Sequence, residues 1–140
     1  MDRLFLDANI LFSAARSPDS RVLWLWEQKG ICLLTSEYAL EETRRNLAAP
    51  DSRKRLGLLV KSIEIVSTPT GFPDIELSPG VHPPKKDQPI LAAAIKAAAT
   101  HLITGDKKHF RCCFAERVCG VLIQTPAQYR FSKSSGKRGT

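Results

Sequence analysis

The feature that most constrains this chain is a short apolar segment that ends in a carboxylate. Residues Arg3 to Leu6 have the character of a buried strand and run directly into Asp7. A second segment, Leu102 to Asp106, repeats this plan about a hundred residues later. In an open parallel sheet, ligands bind just outside the carboxyl ends of the strands. If these two strands are neighbours, Asp7 and Asp106 share one acidic pocket, and their mutual repulsion requires protonation or a cation.

The length and composition predict a single soluble domain. A chain of 140 residues can bury a substantial core, and 43% hydrophobic with 25% charged residues is ordinary for a globular protein. No apolar run approaches the roughly 18 residues of a membrane span. The first residues lack the basic and apolar regions of a signal peptide, so we expect a cytoplasmic protein without a membrane partner.

The net charge of +7 and the pI of about 9.5 favour a polyanionic partner such as nucleic acid. The alternative is that this charge serves only solubility. Part of it is local, because residues 131–140 carry three cations and no acid. We expect a domain over residues 1–130 and a basic, disordered tail over residues 131–140.

The four cysteines give no metal or redox pattern. Their spacing contains no C-x-x-C pair, and no histidine completes a zinc motif nearby. Cys32, Cys112, Cys113 and Cys119 are therefore interpreted as reduced thiols of the core or surface.

Strand-like and helical segments alternate along the chain, which is typical of an α/β fold with a parallel sheet. The predicted strands are residues 3–6, 31–34, 63–66, 101–104 and 120–124. The predicted helices are residues 9–15, 21–29, 37–48, 53–61 and 88–99, and short turns are predicted at residues 107–110 and 126–130.

Residues 68–86 hold five prolines and are predicted to form a long surface loop, in which His82 is most simply a solvated side chain. Trp24 and Trp26 are interpreted as core or dimer-surface residues rather than base-stacking ones.

Carboxylates at four points of the chain are candidates for chemistry. Asp7 and Asp106 end strands, Asp87 opens a helix, and Glu41 or Glu42 lies on the helix from Glu37. Each has an ordinary explanation: Asp87 as a helix N-cap, the glutamates as partners of nearby arginines, and Asp106 as a turn residue. Helical spacing alone does not separate Glu41 from Glu42. Taken together, however, these acids are predicted to lie around one site at the carboxyl edge of the sheet.

A cluster of carboxylates suits Mg²⁺ or Mn²⁺ rather than zinc. Such an ion can bind phosphate, activate a water molecule and stabilise a leaving oxygen. Asn9 and Thr104 offer neutral side chains that can orient water or a carboxylate. Lys107, Lys108 and Arg111 border the acidic rim in sequence and are candidates to grip substrate phosphates, although solvated surface charge is an alternative.

Four segments resemble the motifs of the PIN-domain nucleases. They are Leu4-Phe-Leu-Asp7-Ala-Asn9-Ile-Leu, Ser36-Glu-Tyr-Ala-Leu-Glu-Glu42-Thr-Arg-Arg-Asn-Leu47, Lys86-Asp87-Gln-Pro-Ile-Leu-Ala-Ala-Ala-Ile95 and Leu102-Ile-Thr104-Gly-Asp106-Lys-Lys-His-Phe110. The resemblance covers nearly all of residues 3–130. In the second motif, the family's glutamate lies five residues before a leucine, and that register selects Glu42.

This resemblance implies a three-layer α/β/α fold with a five-stranded parallel sheet of order 3-2-1-4-5. It implies a divalent-metal-dependent ribonuclease whose metal is bound by Asp7, Glu42, Asp87 and Asp106, with Asn9 and Thr104 in support. Many bacterial members resemble virulence-associated protein C, the toxin of a type II toxin–antitoxin pair. The expected partners are therefore RNA, an antitoxin protein and a second copy of the chain in a homodimer.

Two other readings of the same residues make different predictions. A non-catalytic module that binds nucleic acid or protein would keep the acids for structure and would bind RNA without metal and without product. A phosphatase similar to the haloacid dehalogenases would use Asp7 as a nucleophile, but that motif requires a second aspartate where Asn9 stands.

Overall fold

The computed structural model describes residues 1–67, 88–105 and 117–139. Several sequence predictions fall outside these ranges: the loop over residues 68–86 with His82, the turn over residues 107–110, and the side chains of Asp87, Asp106, Lys107, Lys108, Arg111, Cys112 and Cys113. None of the described helices combines the length and the hydropathy needed to cross a bilayer.

The strands form one sheet with the predicted parallel core. The strands are β1 (Asp2–Leu6), β2 (Ile31–Ser36), β3 (Ile63–Val66), β4 (His101–Ile103), β5 (Arg117–Val118) and β6 (Val121–Gln124). Their order is β3-β2-β1-β4-β6-β5. The first five strands of this order are parallel, so the predicted order 3-2-1-4-5 is confirmed, with β6 as the predicted fifth strand. The short β5 was not predicted, and it pairs antiparallel with β6 at the edge of the sheet.

Six α-helices connect or flank these strands in the described ranges. They are α1 (Ala8–Arg16), α2 (Trp24–Glu27), α3 (Glu37–Asn46), α4 (Pro50–Leu59), α5 (Gln88–Lys96) and α6 (Pro126–Gly139). Two 3₁₀ turns, Arg21–Leu23 and Val60–Ser62, precede α2 and follow α4.

The sheet has helices on both faces. Register places Leu4, Leu33 and His101 side by side, so Arg3 points to the opposite face. The Arg3 guanidinium reaches the carbonyl of Ala97 just beyond α5, so α5 covers that face. The ring of His101 contacts Tyr129 of α6 on the other face. This arrangement is the three-layer α/β/α architecture.

The central strand is buried because it has helices on both sides. Leu4, Phe5 and Leu6 are completely inaccessible to solvent, as are Leu102 and Ile103 in β4. On α5, Ala92, Ala93 and Ala94 are also buried, so this helix lies close to the sheet. A parallel strand covered on both faces has apolar residues at every position rather than alternate ones, and this is the pattern of Leu4 to Leu6, the buried part of β1.

Several observed helices differ in their bounds from the predicted segments. The segment predicted as one helix from Arg21 to Lys29 begins as a 3₁₀ turn and ends at Glu27, and Ser20 makes no side-chain cap. The helix predicted to start at Arg53 begins at Pro50, which suits a first helical position because its φ is already helical and it has no N–H to satisfy. The final turn predicted for Pro126–Arg130 is a helix to Gly139, so residues expected to be disordered are helical.

The tryptophans contact the core, as predicted. Both are partly buried against the hydrophobic cluster, and the Trp26 indole donates a hydrogen bond to the carbonyl of Leu59 at 3.2 Å. The Trp24 ring meets Tyr129 edge to face at 6.3 Å and is covered by the Arg130 guanidinium at 5.0 Å. Cys32 is partly buried and Cys119 is exposed, and both are free thiols.

Candidate active site

Asp7 lies where β1 ends and α1 begins. Its backbone N–H donates to the carbonyl of Ile103 in β4 at 3.0 Å, which extends the pairing of β1 and β4 by one step. Its Oδ1 accepts the N–H of Ala8 at 2.7 Å, so the side chain caps α1. Only 6% of the residue is exposed. The carboxylate is therefore held in one orientation at the carboxyl edge of the sheet.

Thr104 is the direct neighbour of Asp7 across the sheet. It follows β4 as Asp7 follows β1, and its hydroxyl donates to Asp7 Oδ2 at 2.7 Å. Its own N–H donates to the carbonyl of Gln124 at 3.0 Å, which continues the pairing toward β6. Thr104 is completely buried. The ends of the two strands therefore lie side by side, with Asp7 and Thr104 in direct contact.

Asn9 ties the first turn of α1 to the chain that leaves β4. Its side-chain amide N–H groups lie 3.4 Å from Asp7 Oδ2 and 3.3 Å from the Thr104 hydroxyl, and its Oδ1 accepts the N–H of Gly105 at 3.0 Å. Both ends of the amide are therefore engaged by protein groups. The geometry supports the expectation that Asn9 orients a carboxylate.

The second motif lies on α3, beside the start of α1. Ser36 caps α3 by accepting the N–H of Ala39 at 3.1 Å. Thr43 is buried, and its hydroxyl lies 2.9 Å from the carbonyl of Ala39 and 3.3 Å from that of Ala8. Since Ala8 follows Asp7 and Thr43 follows Glu42, this contact brings the two acidic segments together.

Glu41 and Glu42, which helical spacing alone did not distinguish, differ in exposure and in their partners. Glu41 is exposed and lies 4.0 Å from Arg45 in a pair whose side chains are both more than half exposed. Glu42 is only partly exposed, and its carbonyl accepts the side-chain amide of Asn46. The exposed pairing of Glu41 is the behaviour of a surface residue, and Glu42 is the better candidate for the site.

Sequence reasoning missed the two threonines that hold the surrounding backbone. Besides Thr43, the buried Thr35 donates from its hydroxyl to the carbonyl of Leu6 at 2.9 Å. This bond joins β2 to the last residue of β1, directly before Asp7. A signal existed for Thr43, because it falls on the same helical face as the apolar residues Ala39 and Leu40.

The remaining predicted acids cannot be placed from the described residues. Asp87 precedes α5, and Asp106 follows Gly105, whose N–H is bound by Asn9. Within residues 1–67, 88–105 and 117–139, no group of three His, Cys, Asp or Glu side chains lies close enough to bind one metal ion. Lys107, Lys108 and Arg111 also lie outside these ranges.

The donors that are present fit a hard cation. Asp7, Asn9, Thr104 and Glu42 supply only oxygen atoms as metal ligands, and no sulfur or imidazole nitrogen belongs to this described set. Oxygen ligands are those that Mg²⁺ and Mn²⁺ prefer, whereas structural zinc takes cysteine and histidine.

The family is established by comparison with known proteins. A family model described as PIN domain matches residues 3–108, which is well over half of the chain. The chain therefore belongs to the PIN domain family. No curated protein matches it.

A solved structure supports the same fold. It is described as the crystal structure of VapBC2 from Rickettsia felis bound to a DNA fragment from the promoter of that system, and it matches with a TM-score of 0.63. The match covers 88% of this chain and 98% of the other, with 16% sequence identity. At this identity the likeness concerns the fold.

Proposed function

We propose that this protein is a divalent-metal-dependent endoribonuclease that hydrolyses RNA phosphodiester bonds. The observation that carries the proposal is the position of Asp7: a buried carboxylate at the carboxyl edge of the sheet, bound by Thr104 and capping α1, in a chain that belongs to the PIN domain family. A carboxylate fixed in this way costs little to reorganise when a cation binds.

The proposed metal ligands are Asp7, Glu42, Asp87 and Asp106, and the proposed ion is Mg²⁺ or Mn²⁺. When bound, such an ion neutralises the acids, lowers the pKa of a water molecule and stabilises the leaving oxygen. The contributions of the chain are positional. Thr104 and Asn9 fix the Asp7 carboxylate, and Thr43 holds α3 against the start of α1.

The residues after Asp106 extend this proposal toward the substrate. Lys107, Lys108 and Arg111 follow the acid in sequence and are proposed to bind substrate phosphates. Cations next to an acidic site offset the repulsion that its carboxylates exert on RNA.

We further propose that the protein is the toxin of a type II toxin–antitoxin pair. The four motifs resemble those of virulence-associated protein C, and the structural neighbour comes from a VapBC2 complex. Under this proposal the protein acts in the cytoplasm, forms a homodimer and is held by a small antitoxin protein. Copurification with the product of an adjacent gene, followed by inhibition of cleavage by that product, tests this part.

The decisive experiment compares two Asp-to-Asn variants. Mixed RNA is incubated with the wild-type protein, Asp7→Asn and Asp19→Asn, each with and without Mg²⁺ or Mn²⁺. Asp19 is exposed and lies outside the site, so it controls for the chemical change alone. We expect cleavage by the wild type and Asp19→Asn only with metal, and none by Asp7→Asn.

The same assay also distinguishes the proposed function from its alternatives. Undiminished cleavage by a folded Asp7→Asn protein would remove Asp7 from the site. Metal-independent RNA binding without any product would instead favour a non-catalytic binding module. Circular dichroism of all three proteins establishes that differences in cleavage do not come from unfolding.

A further inference from the structure

A dense group of cations lies where α3 ends and α4 begins. Five of the twelve residues from Arg44 to Arg55 are Lys or Arg, and Asp51 is their single acid. Arg55 turns inward and donates to the carbonyl of Ala15 at 2.6 Å. The other four are exposed, and we call them the α3–α4 corner: Arg44, Arg45, Arg53 and Lys54.

Arg53 gives this corner a fixed shape. Its Nε donates to the carbonyl of Leu47 at 2.6 Å and its Nη2 to the carbonyl of Arg44 at 3.3 Å. The guanidinium therefore sits on the C-terminal carbonyls of α3, and α4 is held against that helix end. Leu47 beside it is only 3% exposed. The charges are thus presented from a packed junction of two helices.

Within the described residues, these cations are poorly neutralised by acidic side chains. Arg45 faces Glu41 at 4.0 Å, and both side chains are more than half exposed, so this pair is weak. In the part of the chain that the structure describes, no carboxylate oxygen lies within the 4.0 Å of an ion pair from Arg44, Arg53 or Lys54. The corner therefore carries an excess of positive charge that an anionic partner can offset.

The corner is connected to the candidate site. The Thr43 hydroxyl lies 3.3 Å from the carbonyl of Ala8. Arg44 is the next residue after Thr43, and Asp7 is the residue before Ala8. An extended polyanion that passes the Asp7 carboxylate can therefore reach the corner by crossing the exposed side of α3, where Arg45 lies.

We propose that the α3–α4 corner binds the phosphate backbone of the RNA strand whose scissile bond lies at Asp7. This inference rests on the proposed ribonuclease function. An acidic site repels RNA, and fixed cations beside it offset that repulsion over the nucleotides next to the bond that is cut. Contacts to phosphate position the strand without reading its sequence.

The test measures RNA binding rather than cleavage. In the Asp7→Asn background and without divalent metal, the affinity for a single-stranded RNA oligonucleotide is measured against salt concentration. The test variant adds Arg44→Gln and Lys54→Gln, and Arg53 is kept because it holds the end of α3. The control variant adds Arg21→Gln and Lys29→Gln, one exposed Arg and one exposed Lys that do not belong to the corner.

The slope of log affinity against log salt should fall in magnitude by about 1.4 in the test variant, about 0.7 for each lost phosphate contact, and remain unchanged in the control. Equal changes in both variants would show general basicity and overturn the proposal. An unchanged slope in the test variant would also overturn the proposal. If that variant instead loses its binding to polyglutamate, the corner fits an acidic protein rather than RNA. RNA cleavage is also measured with the wild-type protein. If it cleaves RNA while the slope of the test variant is unchanged, only the proposal for the corner fails, and if it does not cleave RNA, the proposed function fails.

Discussion

At the scale of single residues, the Thr104 hydroxyl is the closest partner of the candidate catalytic carboxylate. The bond of 2.7 Å is buried and its acceptor is ionisable, which places it among the stronger hydrogen bonds in proteins. Replacing Thr104 with Val retains the shape of the side chain but removes the donor. We expect affinity for Mg²⁺ or Mn²⁺ to fall by about ten- to a hundredfold, as when an outer hydrogen bond to a metal ligand is lost. Isothermal titration of the metal measures this change.

Thr35→Val is the matched control for this prediction. Thr35 is equally buried and donates to the carbonyl of Leu6, directly before Asp7, without touching the carboxylate. Both variants should lose about 1–3 kcal/mol of unfolding free energy, because each removes a buried hydrogen bond. If both lose metal affinity to the same extent, Thr104 acts only through general stability.

A second pair of residues makes stability depend on pH. The hydroxyl of Tyr129, 2% exposed, donates to Asp2 at 2.6 Å. Burial opposes the charge of Asp2, but the bond from Tyr129 and the positive charges of His101 and Lys133 outweigh it and hold the pKa of Asp2 below its ordinary value. Burial, followed by the bond to Asp2, raises the pKa of Tyr129 well above its ordinary value.

These shifts set opposite pH limits. The contribution of Asp2 is present above the ordinary aspartate pKa of about 4 and is lost as pH falls through the lower folded value. The contribution of Tyr129 is present below the ordinary tyrosine pKa of about 10 and is lost as pH rises toward the folded value. In Tyr129→Phe, both losses should shrink when urea unfolding is followed across pH. A variant with the wild-type pH profile would contradict this assignment.

Some residues of the candidate site could be predicted from the sequence and others could not, for physical reasons. Asp7 and Thr104 were predictable because strand ends in a parallel sheet are functional positions, and the apolar runs before them mark those ends. Thr35 was not, since a buried threonine resembles any β-branched core residue until its acceptor is known. Thr43 gave only one signal, its position on the apolar face of α3. Glu42 was selected by the motif register, and the structure adds the difference in exposure between it and Glu41.

At the scale of elements, the end of α5 contains a strained backbone. The helix ends at Lys96, and Ala98 has a φ of 56°, in the left-handed region that favours glycine. The exposed Ala98 makes no buried contact that a glycine would lose. Ala98→Gly should raise the unfolding free energy by about 0.5–1 kcal/mol by relieving this strain. Urea denaturation measures the change.

Ala97→Gly tests the reason for that gain. Ala97 is one residue earlier and its N–H still donates to the carbonyl of Ala93 in the helical pattern, so glycine there should lower stability by about 0.5–1 kcal/mol. Gains of equal size at both positions would mean that φ at Ala98 is not the cause.

The same helix shows why ends were harder to predict than centres. The prediction extended α5 to Ala99 because alanine favours a helix at every position and gives no stop signal. The helix ends earlier, at Lys96. Four residues later, the N–H of Thr100 donates to the carbonyl of Arg3 in β1. A contact across 97 positions of sequence decided that end, and local propensity does not contain it. By contrast, β3 was predicted to the residue, because its β-branched residues lie between Ser62 and Ser67.

At the scale of the whole molecule, metal binding should appear as stability. A ligand that binds only the folded protein raises the free energy of unfolding by about 2.7 kcal/mol at a hundred times its dissociation constant. Titration with Mg²⁺ should therefore raise the unfolding midpoint of the wild type and of Asp19→Asn, but not that of Asp7→Asn. A rise in all three proteins would indicate a metal site elsewhere.

The order of the sheet also determines when the candidate site can form during synthesis of the chain. The first strand made is the central one, but its partner β4 begins at His101 and the hydroxyl bound by Asp7 belongs to Thr104. A growing chain on the ribosome, or one truncated before that point, carries Asp7 without the strand that supplies its hydrogen-bond donor. The spacing of the two halves thus delays the assembly of the candidate site until most of the chain has been translated.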